Sequence, residues 1–246
     1  MRDPVVEIAV DARGAIGPVA APRAGAVRPI ILAPIRPWLR AGRGLATPGR
    51  RIGAAPVRRL LHDAAMALNA TIHVFNIELA DADRGVYESL TLRVARHPSE
   101  AEDYLLTRVL AYCLETTEGI GFSSGLSSPD EPAIHVRDPT GALLSWIDIG
   151  VPDAARIHRA SKAAPRVAVY THKAPEQLRK ALAAERIHRA DALHLIAVDR
   201  DFLAAWVRRL ERRMKMSLSV SGGRVYLDLG TETLEADLAP VSLAAD

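Results

Sequence analysis

Hydrophobic and polar residues alternate with a period of two from Ala70 to Leu79, where Ile72, Val74 and Asn76 face one way and His73, Phe75 and Ile77 the other. The segment from Asp81 to Gly85 reads as a turn. Val86 to Ala95 alternates again, with Tyr87, Ser89, Thr91 and Arg93 opposite Leu90, Leu92 and Val94, so the two runs predict a hairpin. The period then changes. Ser99 is placed to cap a helix whose first turn holds Glu100, Glu102 and Asp103, where the helix dipole favours acids. Leu105, Leu106, Val109, Leu110, Cys113 and Leu114 form its apolar stripe, and the helix is expected to run to about Thr117. A Gly/Ser loop leads into a second hairpin, with strands Ala133–Val136 and Leu143–Ile149 around Asp138-Pro139-Thr140-Gly141.

Downstream, helices and strands alternate. Helices are predicted at Ala154–Ala164, Pro175–Glu185 and Asp199–Arg213, and strands at Arg166–Thr171 and Ala192–Val198. Met216–Val220 and Val225–Leu229 flank Gly222-Gly223 as a last hairpin, and Thr233–Leu238 adds an edge strand. The order implies right-handed crossovers and some parallel pairing. The fold class is therefore α/β (α+β), a mixed sheet flanked by helices with an added N-terminal hairpin.

The central hairpin carries the chemistry. Asp130 and Glu131 precede its first strand and Asp148 lies near the end of its second, so antiparallel pairing brings acids together. A two-residue loop would set Glu131 opposite Asp148, with Cβ atoms roughly 5 Å apart. A three-residue loop with a Gly bulge would set Pro132 there and Glu131 on the diagonal. The second register is favoured because it aligns Ile134 and Val136 with Leu144 and Trp146. Like charges this close call for a cation or a proton, unless they are solvated strand ends. The next helix is basic, with Arg156, His158, Arg159 and Lys162. The acids of the first helix serve either as capping charges or in catalysis.

Composition divides the chain. Residues 1–65 hold 11 Arg, no Lys, 4 acids and 8 of the 16 prolines, whereas residues 66–246 hold 21 basic and 25 acidic residues. The first segment is expected to be a disordered extension, apart from a helical stretch at Pro56–Ala67. Three explanations fit it: a transit peptide, a basic arm for nucleic acid, or upstream sequence read through from a misplaced start at a true first residue Met66. The change of composition at Met66 favours the last. Residues 66–240 form a single domain. Cys113 is the only cysteine, which excludes a disulfide framework within the chain and a cysteine-rich zinc site. No window reaches the apolar length of a membrane span. There is no phosphate-binding Gly loop, dinucleotide fingerprint, zincin His pair or GxSxG elbow. His62, His172, His188 and His194 are scattered, and few aromatics are present to stack on bases.

Several motifs in order (MALNATI at 66–72, ARHPSE at 95–100, GLSSPDEPAI at 125–134, WIDIGVPD at 146–153 and RIHRASKAAPRVAVYTHK at 156–173) resemble the YaeQ family from Met66 to about Leu238. Members of this bacterial family usually begin at the position of Met66, and their function is uncharacterised. The resemblance implies a fold like the PD-(D/E)xK nuclease superfamily, in which acids hold Mg²⁺ and a lysine stabilises the charge that develops on the phosphodiester. Carried over, Glu100 is the first-helix acid, Pro132 the proline of the second motif and Asp148 the acid of the third. Two positions depart from the pattern. Ala133 stands where an Asp would follow the proline, so Glu131 would substitute; Gly150 stands where the lysine would be, so Lys162, or Arg159 more weakly, would replace it. The resemblance thus implies a Mg²⁺- or Mn²⁺-dependent nuclease-like site of Glu100, Glu131, Asp148 and Lys162, with Glu131 and Asp148 on the metal. The alternative is an inactive nuclease-fold module that binds a protein or nucleic acid; an unrelated activity, on a small molecule for example, is a third reading. A cytoplasmic protein without membrane contact is expected, in an oligomeric state the sequence leaves open.

Overall fold

In the computed structural model the described residues are 70–123 and 130–243, with a short antiparallel ribbon of β1 (Ile8–Val10) and β2 (Ile16–Pro18). The expected disorder of the N-terminal segment, the helix at Pro56–Ala67, His62 and most of the Gly/Ser loop fall outside the described residues. The first alternating runs form β3 (Thr71–Asp81) and β4 (Val86–Arg96), paired antiparallel along their whole length. Phe75, Ile77, Leu79, Leu90, Leu92 and Val94 are buried, as the period of two requires.

The sheet architecture differs from the expected single sheet. β3 also pairs in parallel with β10 (Arg213–Ser221), which continues through β11 (Arg224–Asp228) to β12 (Thr233–Asp237). The N-terminal hairpin is thus completed by the C-terminal strands, and the five-stranded order is β12-β11-β10-β3-β4. A separate six-stranded sheet has the order β13-β9-β8-β7-β6-β5. Its strands are β5 (Ile120–Phe122), β6 (Ile134–Arg137), β7 (Leu143–Ile149), β8 (Arg166–Thr171), β9 (Leu193–Ala197) and β13 (Ala239–Pro240). The run β7-β8-β9 is parallel, as the alternation of helices and strands predicts. β5 carries no pattern of its own; its three residues are held by pairing with β6.

Four helices occur among the described residues: α1 (Glu102–Leu114), α2 (Ala154–Ala163), α3 (Pro175–Leu182) and α4 (Arg200–Val207). Every residue of α1 from Leu105 to Leu114 is buried, because one core joins this helix to both sheets and to Phe202, Leu203 and Trp206 of α4. A second core lies on the other face of the six-stranded sheet, where α2 and α3 bring Ile157, Leu178 and Leu182 against Val167, Val169 and Leu195. Successive residues of β8 therefore serve different cores. Among the described residues no helix is long and apolar enough to cross a membrane.

Two local expectations are corrected. Ser99 does not cap α1. Its hydroxyl meets His97 Nδ1 at 2.6 Å, the helix starts at Glu102 after an extended Ala101, and Glu100 precedes the helix. In the central hairpin Arg137 pairs with Leu143, as a three-residue loop requires, but a bulge follows and Val136 pairs with Ser145. The extra residue, Leu144, turns outward and is 41% exposed, while Ile134 meets Ile147 in the core. The register beyond the bulge is shifted by one, so Ala133 rather than Pro132 faces Asp148.

Candidate functional site

Trp146 and Asp148 alternate with Ile147 and Ile149 along β7, and so point to the sheet face covered by α2. Asp153 caps α2 by accepting from the Arg156 backbone N–H at 2.6 Å. That cap sets the first turn of α2 beside the end of β7. The Arg156 guanidinium then grips Asp148 with both forks, Nε to Oδ2 at 2.7 Å and Nη2 to Oδ1 at 2.8 Å. Trp146 Nε1 donates to Oδ2 at 2.9 Å, and the Ala133 backbone N–H approaches Oδ1 at 3.4 Å. Arg156 also stacks over the Trp146 ring, 5.4 Å from its centre. Asp148 is only 3% exposed. Its hydrogen bond raises the Arg156 pKa further, against the opposing effect of burial.

Glu131 lies across the same guanidinium: Arg156 Nη2 donates to its main-chain oxygen at 2.7 Å. The Glu131 side chain is exposed and acts electrostatically on His135. Glu100 is buried and paired with Arg108, Oε1 to Nη2 at 3.1 Å, and its Oε2 accepts from the His97 backbone N–H at 3.1 Å. Burial raises the Glu100 pKa despite Arg108. Tyr104 lies between these systems; burial raises its pKa, and Arg108, Glu100, Asp148 and Arg156 all act on its phenol. Lys162 is exposed, six residues beyond Arg156, about 9 Å further along the helix and on another side of it. Arg159 is exposed as well. The structure therefore joins Asp148, Arg156 and the Glu131 backbone, keeps Glu100 in a separate pair with Arg108, leaves Tyr104 within electrostatic range of both, and does not bring Lys162 to Asp148.

A second group adjoins the first at the ends of β7 and β8. Gly150 has φ +88°, and a Cβ there would meet His172 Cε1 at 3.4 Å and Tyr104 Cε2 at 4.0 Å. A lysine at position 150 would be strained in the backbone before its side chain found room. His172 is buried, with Nε2 3.7 Å from Asp103 Oδ2 and its ring nearly perpendicular to that of Tyr104, centres 5.9 Å apart. Its Nδ1 has no hydrogen-bond partner among the described residues. Burial lowers the His172 pKa, Asp103 opposes this, and Lys173 reinforces it. Burial also disfavours charge on Asp103, but Lys173, His172 and the Tyr104 backbone N–H outweigh it and lower its pKa.

Among the described residues no three carboxylate, histidine or cysteine side chains are grouped to hold a metal ion. Asp148 already meets four donors, about the capacity of a carboxylate. As arranged, it fits a guanidinium rather than a divalent ion. Sequence reasoning counted Asp103 among the first-helix acids and Arg156 among the cations of a basic helix, but did not single out Arg156 as the partner of Asp148, and it missed Tyr104 and Lys173. The available signal was the cap at Asp153, which fixes where Arg156 emerges relative to β7.

The sequence pattern of the family described as YaeQ protein matches residues 66–238. The relative named "Uncharacterized protein YaeQ" in Escherichia coli (strain K12) is 30% identical over 174 residues, covering 70% of this chain and 96% of its own. Its namesake in Salmonella typhi is 30% identical over 178 residues, with the same coverage. The crystal structure of YaeQ from Pseudomonas syringae superposes with a TM-score of 0.65 at 30% identity, covering 70% of this chain and 96% of that one. That from Xanthomonas axonopodis pv. citri gives 0.62 at 30% identity, covering 70% and 97%.

Proposed function

The chain belongs to the YaeQ family, and from that premise we propose that it is a non-cleaving binding module on a nuclease-like fold, with Asp148 committed to Arg156 instead of a divalent metal. The observation that carries the proposal is the bidentate Asp148–Arg156 pair, with Trp146 on the same carboxylate. A dication entering there would meet a fixed positive charge and would have to break two charge-assisted hydrogen bonds. The lysine that would stabilise a developing charge is also missing, since Gly150 takes its position and Lys162 stays in solvent.

The test is calorimetric titration of Mn²⁺ into the full chain beside Asp148→Ala. The expected result is no micromolar binding in either protein. Micromolar binding to the parent that vanishes in the variant would overturn the proposal.

That outcome would favour a second reading, a Mg²⁺- or Mn²⁺-dependent phosphodiester hydrolase with Glu131 and Asp148 as ligands and Glu100 and Lys162 assisting. In its favour, Arg156 bridges the Asp148 carboxylate and the Glu131 main chain, so both residues lie within reach of one cation. This reading requires Arg156 to leave when substrate arrives. A hydrolase would lose cleavage in Asp148→Ala; the binding module would keep its partner in that variant if the fold survives.

A further inference from the structure

Charge along the domain is strongly segregated. Residues 154–191 hold nine Lys and Arg against three Asp and Glu, while the other residues from Met66 onward hold 12 against 22. The basic stretch builds α2, β8, α3 and the loop that follows, and its apolar residues Ile157, Leu178 and Leu182 close the second core. Its cations face outward. Arg159, Lys162, Lys180 and Arg186 are exposed, and their side chains have no ion pair or hydrogen bond among the described residues.

The layer is held together as one surface. His158 Nδ1 on α2 lies 3.1 Å from the Arg186 carbonyl and 3.3 Å from the His188 backbone N, and its tautomer selects which of the two it bonds. Arg189 donates to the carbonyl oxygens of Ser161, Ala164 and Pro165 at the end of α2. These ties set Arg186 beside the helix that carries Arg159 and Lys162. Of the acids nearby, Asp153 is occupied as a cap and Glu176 lies 3.7 Å from Arg179, which leaves Glu185 and Asp191 exposed against the four unpaired cations.

We propose that this layer binds the phosphate backbone of nucleic acid without reading its bases. The inference rests on the reading of the chain as a binding module. A protein partner would need apolar anchors at the centre of its interface. The large hydrophobic side chains exposed among the described residues are Ile72, Tyr87, Leu144 and Val151, and none lies on α2, α3 or the connecting loop. The one Phe, Tyr or Trp among residues 154–191, Tyr170, is buried, so no large aromatic ring is offered for base stacking and attraction to phosphate is the main recognition this surface offers.

The test is fluorescence anisotropy of the full chain with labelled random-sequence oligonucleotides of about 20 residues, as duplex and single-stranded DNA and RNA, between about 50 and 200 mM salt. The variant R159E/K162E/K180E/R186E changes only exposed, unpaired side chains, and its circular dichroism reports whether it folds. Parent binding should weaken with salt. The variant should bind at least tenfold less tightly, with a duplex salt slope shallower by about three to four units. Comparing the DNA and RNA arms identifies the source of the phosphates. Because the N-terminal segment also carries arginines, R13E/R23E/R28E/R36E is measured in parallel. No binding by the parent, unchanged affinity and slope in the first variant, or loss confined to the second would overturn the proposal. Equal competition by polyglutamate would overturn it too, since the surface would then accept any polyanion. Cleavage of the same oligonucleotides on adding Mn²⁺ would instead count against the non-cleaving reading and leave the binding result standing.

Discussion

Arg156 illustrates how a residue changes meaning once its neighbours are fixed. In the sequence it is one cation of a basic helix; in the fold it is the partner of a buried carboxylate. Removing it leaves Asp148 buried without its cation. Arg156→Ala should lower stability by about 3 kcal/mol, near the low end for breaking buried pairs because Arg156 is partly exposed. Arg156→Lys should cost less, since it keeps the charge and loses the two-pronged geometry. Urea unfolding of the three proteins measures both. His172 supplies a pH dependence. Its folded pKa is lowered from 6.5, so below pH 6.5 the unfolded chain takes up a proton that the folded chain does not. Stability should therefore fall as pH drops through 6.5 and level off below the folded pKa. His135 is lowered in the same direction, by burial first and then by Arg137, and contributes to the same window. His172→Phe should flatten the slope of the urea midpoint against pH in part, and His135→Phe should remove a further share. The carboxylates Glu100, Glu131 and Asp148 were recognisable in the sequence as candidates; their partners were not, because each partner comes from a different element.

At the scale of the element, α1 and β7 show opposite relations between pattern and packing. The apolar stripe of α1 predicts a half-buried helix, yet the helix is enclosed from Leu105 to Leu114 by two sheets and α4. Thr107 resolves its burial by donating from Oγ1 to the Asp103 carbonyl at 2.7 Å, and Arg108 resolves its own by pairing with Glu100. In β7 the bulge at Leu144 shifts the register, exposing a leucine and burying Ser145. Leu144→Thr should change stability by no more than about 0.5 kcal/mol. Ile147→Ala should cost about 2–5 kcal/mol, because it opens a cavity under Ile134. Thermal or urea unfolding of this pair of variants tests the register, since the unbulged pairing would make Leu144 the costlier position. The existence and order of most strands and helices were legible from period and turn chemistry, but not every span: the helix expected at Asp199–Arg213 ends at Val207, and Arg213 already belongs to β10. The bulge was not legible, because one inserted residue leaves the alternation on either side intact.

On the scale of the whole molecule, the six-stranded sheet is a wall shared by two cores. Trp206 sits in the core with α1, and Trp146 in the core under α2 and α3. Neither core can come apart without exposing a face of that sheet. Unfolding should therefore be a single transition, with tryptophan fluorescence and far-ultraviolet circular dichroism giving the same midpoint in urea. Separate midpoints would mean that the cores unfold independently. The sequence by itself determined the run of strands and helices, the parallel strands β7 to β9, the membership of the family and the concentration of basic residues from Ala154 to Asp191. These depend on local period, capping and composition, which each segment carries within itself. Only the tertiary structure decided that β3 pairs with β10, that two sheets form where one was expected, that Arg156 holds Asp148, and that His172 lies over Gly150. Those outcomes join residues far apart in the chain, and they depend on how both sheets close around a single buried helix, a constraint that no segment expresses alone.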